Sequence, residues 1–97
     1  MTTFVILTST LFKRKFKKLC RKNYTLAQIL DSVISQMRYN PFLPSLKTHK
    51  VNVSEYGVVF STTVTGDIRL IWRFFHEEDR IMLIDIGGHS GKNKVYR

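Results

Sequence analysis

The chain has 97 residues, the size of one small domain, so we expect a single domain over residues 1–97. An apolar content of 43%, with seven Phe, four Tyr and one Trp, excludes a disordered chain. Sixteen Lys and Arg against seven Asp and Glu give a net charge of +9, which favours nucleic acid, acidic proteins or anionic lipid surfaces as partners.

The lone cysteine, Cys20, excludes an internal disulfide and a CxxC zinc site, which fits a reducing compartment. No apolar run approaches the roughly 20 residues of a membrane span. The apolar stretch near the N-terminus is too short for an export signal and is followed by lysines. We therefore expect a soluble, cytoplasmic protein.

Residues 4–8 form an apolar, β-branched run that predicts a strand, and Ser9 and Thr10 are suitable N-caps for a following helix. Over residues 11–22 the apolar side chains recur at helical spacing on a narrow stripe. The rest of this predicted helix is cationic: Lys13, Arg14, Lys15, Lys17, Lys18, Arg21 and Lys22.

Thr25 is the expected N-cap of a second amphipathic helix, which ends near Tyr39 because Pro41 follows. The two helices predict an antiparallel hairpin. Pro41 and Pro44 favour an extended connection over residues 42–46, since each restrains the residue before it.

Beyond His49 the pattern becomes extended, with strand material over residues 51–64, 68–75 and 80–86. Gly66 and Asp67 indicate a turn or a bulge, and residues 77–79 are predicted to form a polar hairpin tip. The order β-α-α-β-β-β predicts an α+β fold, with the helical hairpin packed on a small, mostly antiparallel twisted sheet.

Cleaving an RNA phosphodiester requires a base for the 2′-hydroxyl, cations for the phosphoryl charge and an acid for the leaving oxygen. The candidates are His49, Lys47 and Lys50 from the connection into the sheet, Arg69 from a strand and His89 at a strand end. No nucleophile elbow, P-loop or zinc signature is present, so the sequence favours metal-free acid–base chemistry without a cofactor.

Each candidate has a simpler interpretation. His89 follows two glycines and could be a solvated turn residue, and His49 could be a plain phosphate contact. Asp67 could serve only the turn. Arg69 could be solubilising, could pair with Asp67 or could clamp a phosphate.

Aromatic residues and further cations complete the predicted site. Tyr96 and Tyr56 are candidates for stacking on an unpaired base, although Tyr96 could instead pack on the sheet edge. Trp72 and Phe74 alternate onto the buried face and are predicted core residues. The expected RNA-binding cations are Lys13, Arg14, Lys17, Lys18, Arg21, Lys47, Lys50, Arg73, Lys92 and Lys94.

Three segments together resemble the RelE/ParE superfamily of bacterial toxins, and within it the RelE and YafQ-like messenger-RNA interferases. These are residues 40–50 (Asn-Pro-Phe-Leu-Pro-Ser-Leu-Lys-Thr-His-Lys), residues 66–72 (Gly-Asp-Ile-Arg-Leu-Ile-Trp), and residues 84–90 (Ile-Asp-Ile-Gly-Gly-His-Ser) with the Val95 and Tyr96 that follow. Their order and spacing agree over nearly the whole chain, whereas the first helix matches only in character.

The resemblance implies a RelE-like, microbial-RNase-like fold and a toxin that cuts messenger RNA on the ribosome and is neutralised by a protein antitoxin. It implies attack by the 2′-hydroxyl on its own phosphate. By resemblance, His49 would be the base and Arg69 would steady the phosphoryl charge. His89 would be the acid, Asp67 corresponds to the strand aspartate, and Tyr96 would stack on the target base.

The sequence departs from the YafQ-like pattern at two places. Thr63 replaces a histidine before the strand aspartate, and the tail after His89 is longer and more basic. The base and acid roles therefore stay open among Lys47, His49, Lys50 and His89. A ParE-like gyrase inhibitor and a catalytically inactive RNA- or ribosome-binding protein are the competing functions.

Overall fold

The computed structural model describes residues 3–88. Its helices and strands follow in the order β1 (Val5–Thr8), α1 (Thr10–Cys20), α2 (Tyr24–Tyr39), β2 (His49–Val53), β3 (Gly57–Thr63), β4 (Ile68–Phe75) and β5 (Arg80–Gly88). The predicted order is confirmed with one addition, because the run over residues 51–64 is two strands. The turn between them leads into Gly57, whose φ of 75° is accessible to glycine without steric cost.

The five strands form one sheet in the order β1-β5-β4-β3-β2. β1 runs parallel to β5, and the other neighbours are antiparallel. The sheet is therefore mixed and mostly antiparallel, in an α+β fold as the sequence predicts.

The N-terminal ends of both helices are capped by side chains. The Ser9 hydroxyl accepts the Phe12 N–H at 2.9 Å, which confirms the predicted cap of α1. The cap of α2 is Asn23, whose Oδ1 accepts the Leu26 N–H at 3.0 Å. The prediction of Thr25 as this cap is wrong, because the helix already begins at Tyr24.

The main core lies between the two helices and one face of the sheet, which we call the helix face. Leu30 and Met37 of α2 and Trp72, Leu83 and Ile86 of the sheet are fully buried there. The opposite face, which we call the open face, carries a smaller apolar cluster of Val53, Val59 and Ile71. Because side chains alternate along each strand, residues between the core positions belong to the open face.

The connection from α2 to β2 was predicted to be extended, but only part of it is. Pro44–Leu46 forms one 3-10 turn, which Pro44 can begin because its missing N–H is not needed there. Leu46 is buried against the main core and fixes this turn to the body of the protein. Over residues 3–88, neither helix has the length and apolar character needed to cross a bilayer.

Candidate active site

Four residues form a row across the open face of the sheet. In register, His49 of β2 pairs with Ser61, Ser61 with Ile71, and Ile71 with Asp85 of β5. The adjacent row, nearer the β3–β4 turn, contains Thr63, Arg69 and Gly87. The structure therefore brings His49, Arg69 and Asp85 onto one face at one end of the sheet.

His49 on β2 and Arg69 on β4 are separated by two interstrand spacings and by two residues along the strands. Neighbouring strands lie about 4.8 Å apart and a strand rises about 3.3 Å per residue, so their Cα atoms are about 12 Å apart. The Arg69 guanidinium donates through Nη1 to the carbonyl oxygens of Thr65 at 2.7 Å and Ile68 at 3.2 Å. These contacts hold the guanidinium beside the β3–β4 turn.

The sequence predicted that His49 lies in the connection before the sheet. In the structure it is the first residue of β2. Its ring is exposed, and its Nδ1 lies 3.1 Å from the carbonyl oxygen of Lys47. Because a carbonyl oxygen only accepts hydrogen bonds, Nδ1 carries the proton in this contact. In the neutral ring Nε2 is then the acceptor, which is the state that a general base requires.

The other predicted cations of the sheet lie in different places. Lys50 pairs with Phe60, a helix-face residue, so Lys50 lies on the opposite face of β2 from His49. The structure therefore does not group it with the histidine. Arg73 is on the open face, and its Nη2 donates to the Tyr56 carbonyl at 2.9 Å. Asp67 is exposed in the β3–β4 turn, where its N–H donates to Thr65 Oγ1 at 3.3 Å.

Helix α1 presents the broad cationic surface that the sequence predicts. The five residues expected to bind RNA on α1 and at its C-cap are all exposed: Lys13, Arg14, Lys17, Lys18 and Arg21. Lys15 differs, since its Nζ lies 2.7 Å from Asp85 Oδ1 at the border of the open face. Lys18 is three residues further along the helix, and side chains at this spacing are neighbours. The basic surface therefore continues to the β5 side of the candidate site.

Asp85 is a site residue that sequence reasoning missed. It is 5% exposed, and its Oδ1 accepts the Ile86 N–H while its Oδ2 accepts the Tyr56 hydroxyl at 3.3 Å. The register shifts here because Ile84 is an extra residue, and the Ser9 hydroxyl donates to the Ile84 carbonyl at 2.7 Å. A lone carboxylate in an apolar strand is the sequence signal that could have identified it.

Tyr56 is therefore bound to Asp85 instead of standing free to stack on a base. Its ring packs against Val53, Val59 and Ile71 on the open face. Burial is the main cause that raises the pKa of Tyr56 to about 12, and the carboxylates of Asp85 and Glu55 add to it. The hydroxyl therefore keeps its proton, and donates to Asp85, to a higher pH than an ordinary tyrosine would.

A chain of hydrogen bonds anchors the segment that precedes His49. Thr48 Oγ1 donates to the Pro41 carbonyl at 2.7 Å and lies 2.7 Å from Thr62 Oγ1. Since its one proton is used on Pro41, Thr48 accepts from Thr62, and Thr62 in turn accepts from Trp72 Nε1 at 2.8 Å. Nothing in the sequence pattern indicated this series of hydrogen bonds, because threonine is common in strands simply as a β-branched residue.

Four predicted site residues lie outside the described part of the chain: His89, Lys92, Lys94 and Tyr96. β5 is described to Gly88, which pairs with Ile68 in the strand position before Arg69. Within residues 3–88, no group of three or more His, Cys, Asp or Glu side chains is placed to hold a metal ion.

Neither a protein-family model nor a curated protein matches the sequence. Solved structures do match. The YoeB/ParE toxin from Agrobacterium tumefaciens is similar with a TM-score of 0.75 at 14% identity, over 90% of this chain and all of that chain.

YafQ from E. coli strain BL21(DE3) matches with a TM-score of 0.60 at 17% identity, over 88% of this chain and 92% of that one. The E. coli DinJ-YafQ complex matches with a TM-score of 0.59 at 19% identity, over 89% of this chain and 93% of that one. At these identities the likeness concerns the fold. The chain has the fold of RelE/YafQ-like toxins, as its resemblance implied.

Proposed function

We propose that the chain is the toxin of a type II toxin–antitoxin system, acting in the cytoplasm as an endoribonuclease that cuts messenger RNA on the ribosome. The observation that carries this proposal is the position of His49 and Arg69 on the same face of the sheet, in adjacent rows. A binding inhibitor requires neither a histidine whose Nε2 can accept a proton nor an arginine on the same face of the sheet. The basic surface of α1 beside this site supports a polyanionic substrate.

In the proposed reaction, His49 Nε2 takes the proton of the 2′-hydroxyl of the target nucleotide. The 2′-oxygen then forms a bond to the adjacent phosphorus, and the bond from phosphorus to the 5′-oxygen of the next nucleotide breaks. Arg69 stabilises the negative charge on the non-bridging oxygens, which is greatest in the transition state. A spacing of about 12 Å between the two Cα atoms leaves room for one phosphate between the side chains.

The leaving 5′-oxygen needs a proton, and His89 is the proposed acid. The products are a 2′,3′-cyclic phosphate and a free 5′-hydroxyl, so no water is consumed in this step. Tyr96 is the proposed stacking residue, and Asp67 is proposed to act beside Arg69. The roles of these three residues rest on the resemblance to the YafQ-like toxins.

An antitoxin is the proposed protein partner, because a cell that makes such an enzyme must restrain it. The match to a DinJ-YafQ complex supports this. With a net charge of +9, the chain favours an acidic protein. A short acidic reading frame beside the gene, whose product copurifies with this chain, is the expected finding.

The test is expression of the chain without an antitoxin, followed by primer extension on a translated message. New 5′ ends should form within the coding region only when the message is being translated. His49→Gln should lower the cleavage rate on the order of 10²- to 10⁴-fold, the usual loss for a general base. Arg69→Lys should also be damaging, because lysine cannot make a bidentate phosphate contact.

Arg38→Lys is the matched control for Arg69→Lys, since Arg38 is on α2 and lies outside the candidate site. It should leave cleavage unchanged. If the 5′ ends stay unchanged while gyrase is trapped on DNA, a ParE-like inhibitor is the better explanation. Growth arrest that survives both His49→Gln and Arg69→Lys without cleavage would point to an inactive RNA- or ribosome-binding protein.

A further inference from the structure

Lys47 has a backbone conformation that L-amino acids rarely adopt. Its φ of 50° and ψ of 39° lie in the left-handed region, where the Cβ atom crowds the backbone. Among the non-glycine residues described, only Lys47 and Asp79 have a positive φ. Strained residues of this kind persist where the surrounding structure requires them, often beside functional groups.

The surrounding structure does hold Lys47 in this conformation. Its N–H donates to the Pro44 carbonyl at 3.1 Å and closes the 3-10 turn. Leu46, immediately before it, is 2% exposed in the main core. Thr48, immediately after it, belongs to the hydrogen-bonded chain that runs from Trp72 to Pro41.

The consequence of this turn is the direction of the Lys47 carbonyl group. Its oxygen lies 3.1 Å from His49 Nδ1, only two residues along the chain. The ψ angle of a residue sets the direction of its carbonyl group, and Lys47 has a ψ of 39° where an extended strand has about +135°. The left-handed conformation of Lys47 therefore gives this carbonyl a direction that an extended residue would not give it.

We propose that Lys47 is a positioning residue that acts through its backbone. Its carbonyl fixes His49 in the Nδ1–H tautomer and leaves Nε2 as the proton acceptor toward the open face. This inference deepens the proposed function and rests on it for the reaction that Nε2 performs. Lys47 then has two separate roles: its carbonyl positions His49, and its ammonium group is a proposed RNA contact. The first role does not depend on the charge of the side chain.

Three substitutions separate these roles. Lys47→Asn removes the charge, yet asparagine tolerates the left-handed region. Lys47→Val also removes the charge, but a β-branched residue strongly disfavours that region. Lys47→Arg keeps the charge and the original backbone preference.

The primary measurement is the tautomer of His49 in long-range ¹H–¹⁵N spectra of histidine-labelled protein. Spectra are taken at about pH 8.5, where an ordinary imidazole is neutral. His49→Gln assigns the signals among the three histidines of the chain. We expect a protonated Nδ1 in the wild type, Lys47→Asn and Lys47→Arg, and loss of this state in Lys47→Val.

Two results would overturn the inference: a wild type protonated at Nε2, or a folded Lys47→Val that keeps the Nδ1–H tautomer. If Lys47→Val does not fold, the wild-type and Lys47→Asn spectra still decide, because both must show Nδ1–H. The tautomer is measured without RNA, so it does not depend on cleavage.

Cleavage assays on the same variants test the proposed function separately. Lys47→Val should lose on the order of 10²-fold in rate, the low end for a misplaced general base. Lys47→Asn should lose less, since it removes only one cation. If the wild type and the variants show the expected tautomers of His49 but the wild type has no ribonuclease activity, the proposed function is refuted. The inference that Lys47 positions His49 would then still stand.

Discussion

The ammonium group of Lys15 lies 2.7 Å from the carboxylate of Asp85, and this pair joins helix α1 to the last strand of the sheet. Asp85 is nearly buried, whereas the lysine side chain is 35% exposed. The carboxylate also accepts hydrogen bonds from the Ile86 N–H and the Tyr56 hydroxyl. One side chain therefore connects the basic helix with the open face that carries His49 and Arg69.

Removing the lysine should destabilise the fold. In Lys15→Met, Asp85 would be left buried without its cation, and we expect a loss of about 1–2 kcal/mol because partial exposure weakens the pair. The free energy of unfolding in urea measures it. Lys18→Met is the matched control, since Lys18 is an exposed lysine of the same helix. Equal effects of the two substitutions would show that the pair contributes no net stability.

Tyr56 should make stability fall at alkaline pH. The folded state holds its pKa at about 12, above the ordinary value of 10.0. Below about pH 10 both states keep the proton and the stabilisation is fully present; it is lost as the pH rises toward about 12, because the unfolded chain deprotonates first.

The urea midpoints of wild type and Tyr56→Phe, compared from about pH 8 to about pH 11, test this linkage. The advantage of the wild type should shrink over that range, since phenylalanine has no proton to lose. A constant difference across the range would contradict the role given to Tyr56.

The hydrogen bonds that link Trp72, Thr62, Thr48 and Pro41 should make the stability of the fold depend on Thr62 more than on Thr63. Thr62→Val leaves the buried Nε1–H of Trp72 without its acceptor, which should cost about 1–3 kcal/mol. Thr63→Val is the control, because it makes the same change at the next position, on the open face. The two midpoints in thermal unfolding give the comparison. Similar decreases of the two midpoints would mean that this series of hydrogen bonds does not anchor the segment before His49.

The cations of α1 should contribute to RNA binding without specifying sequence. Replacing Lys17 and Lys18 by glutamine should weaken binding and lower the slope of log affinity against log salt by about one for each phosphate that is no longer neutralised. RNA with 2′-methoxy groups lets binding be measured without cleavage. Arg38→Gln removes one charge on α2 and should change neither quantity. An unchanged slope in the double variant would exclude Lys17 and Lys18 from the RNA interface.

Much of the fold could be predicted because its signals are local. The helical spacing over α1 and α2, the alternation in β3 to β5 and the Gly66–Asp67 turn all appear in the structure. The errors also have local causes. Ser54 to Tyr56 carry no strong turn signal, so two strands were predicted as one. Thr25 was predicted as the cap of α2 because threonine is a common cap residue, although the helix already begins at Tyr24.

The candidate site could be predicted only in part. The alternation in β4 correctly placed Trp72 on the core side, which puts Arg69 and Arg73 together on the open face, because side chains in a strand alternate by a fixed period. Lys50 was grouped with His49 by proximity in sequence, yet one residue of difference in a strand reverses the face. Asp85 was missed because its partners, Lys15 and Tyr56, are distant in sequence.

The sequence by itself determined the charge, the order of helices and strands and the residue types available for chemistry, since these follow from composition and short-range periodicity. Tertiary structure decided which of them meet. Strand register brought His49 into a row with Asp85, and the left-handed turn at Lys47 directed a carbonyl to His49 Nδ1. Such relationships depend on contacts between distant segments and on backbone angles, which no local pattern of residues specifies.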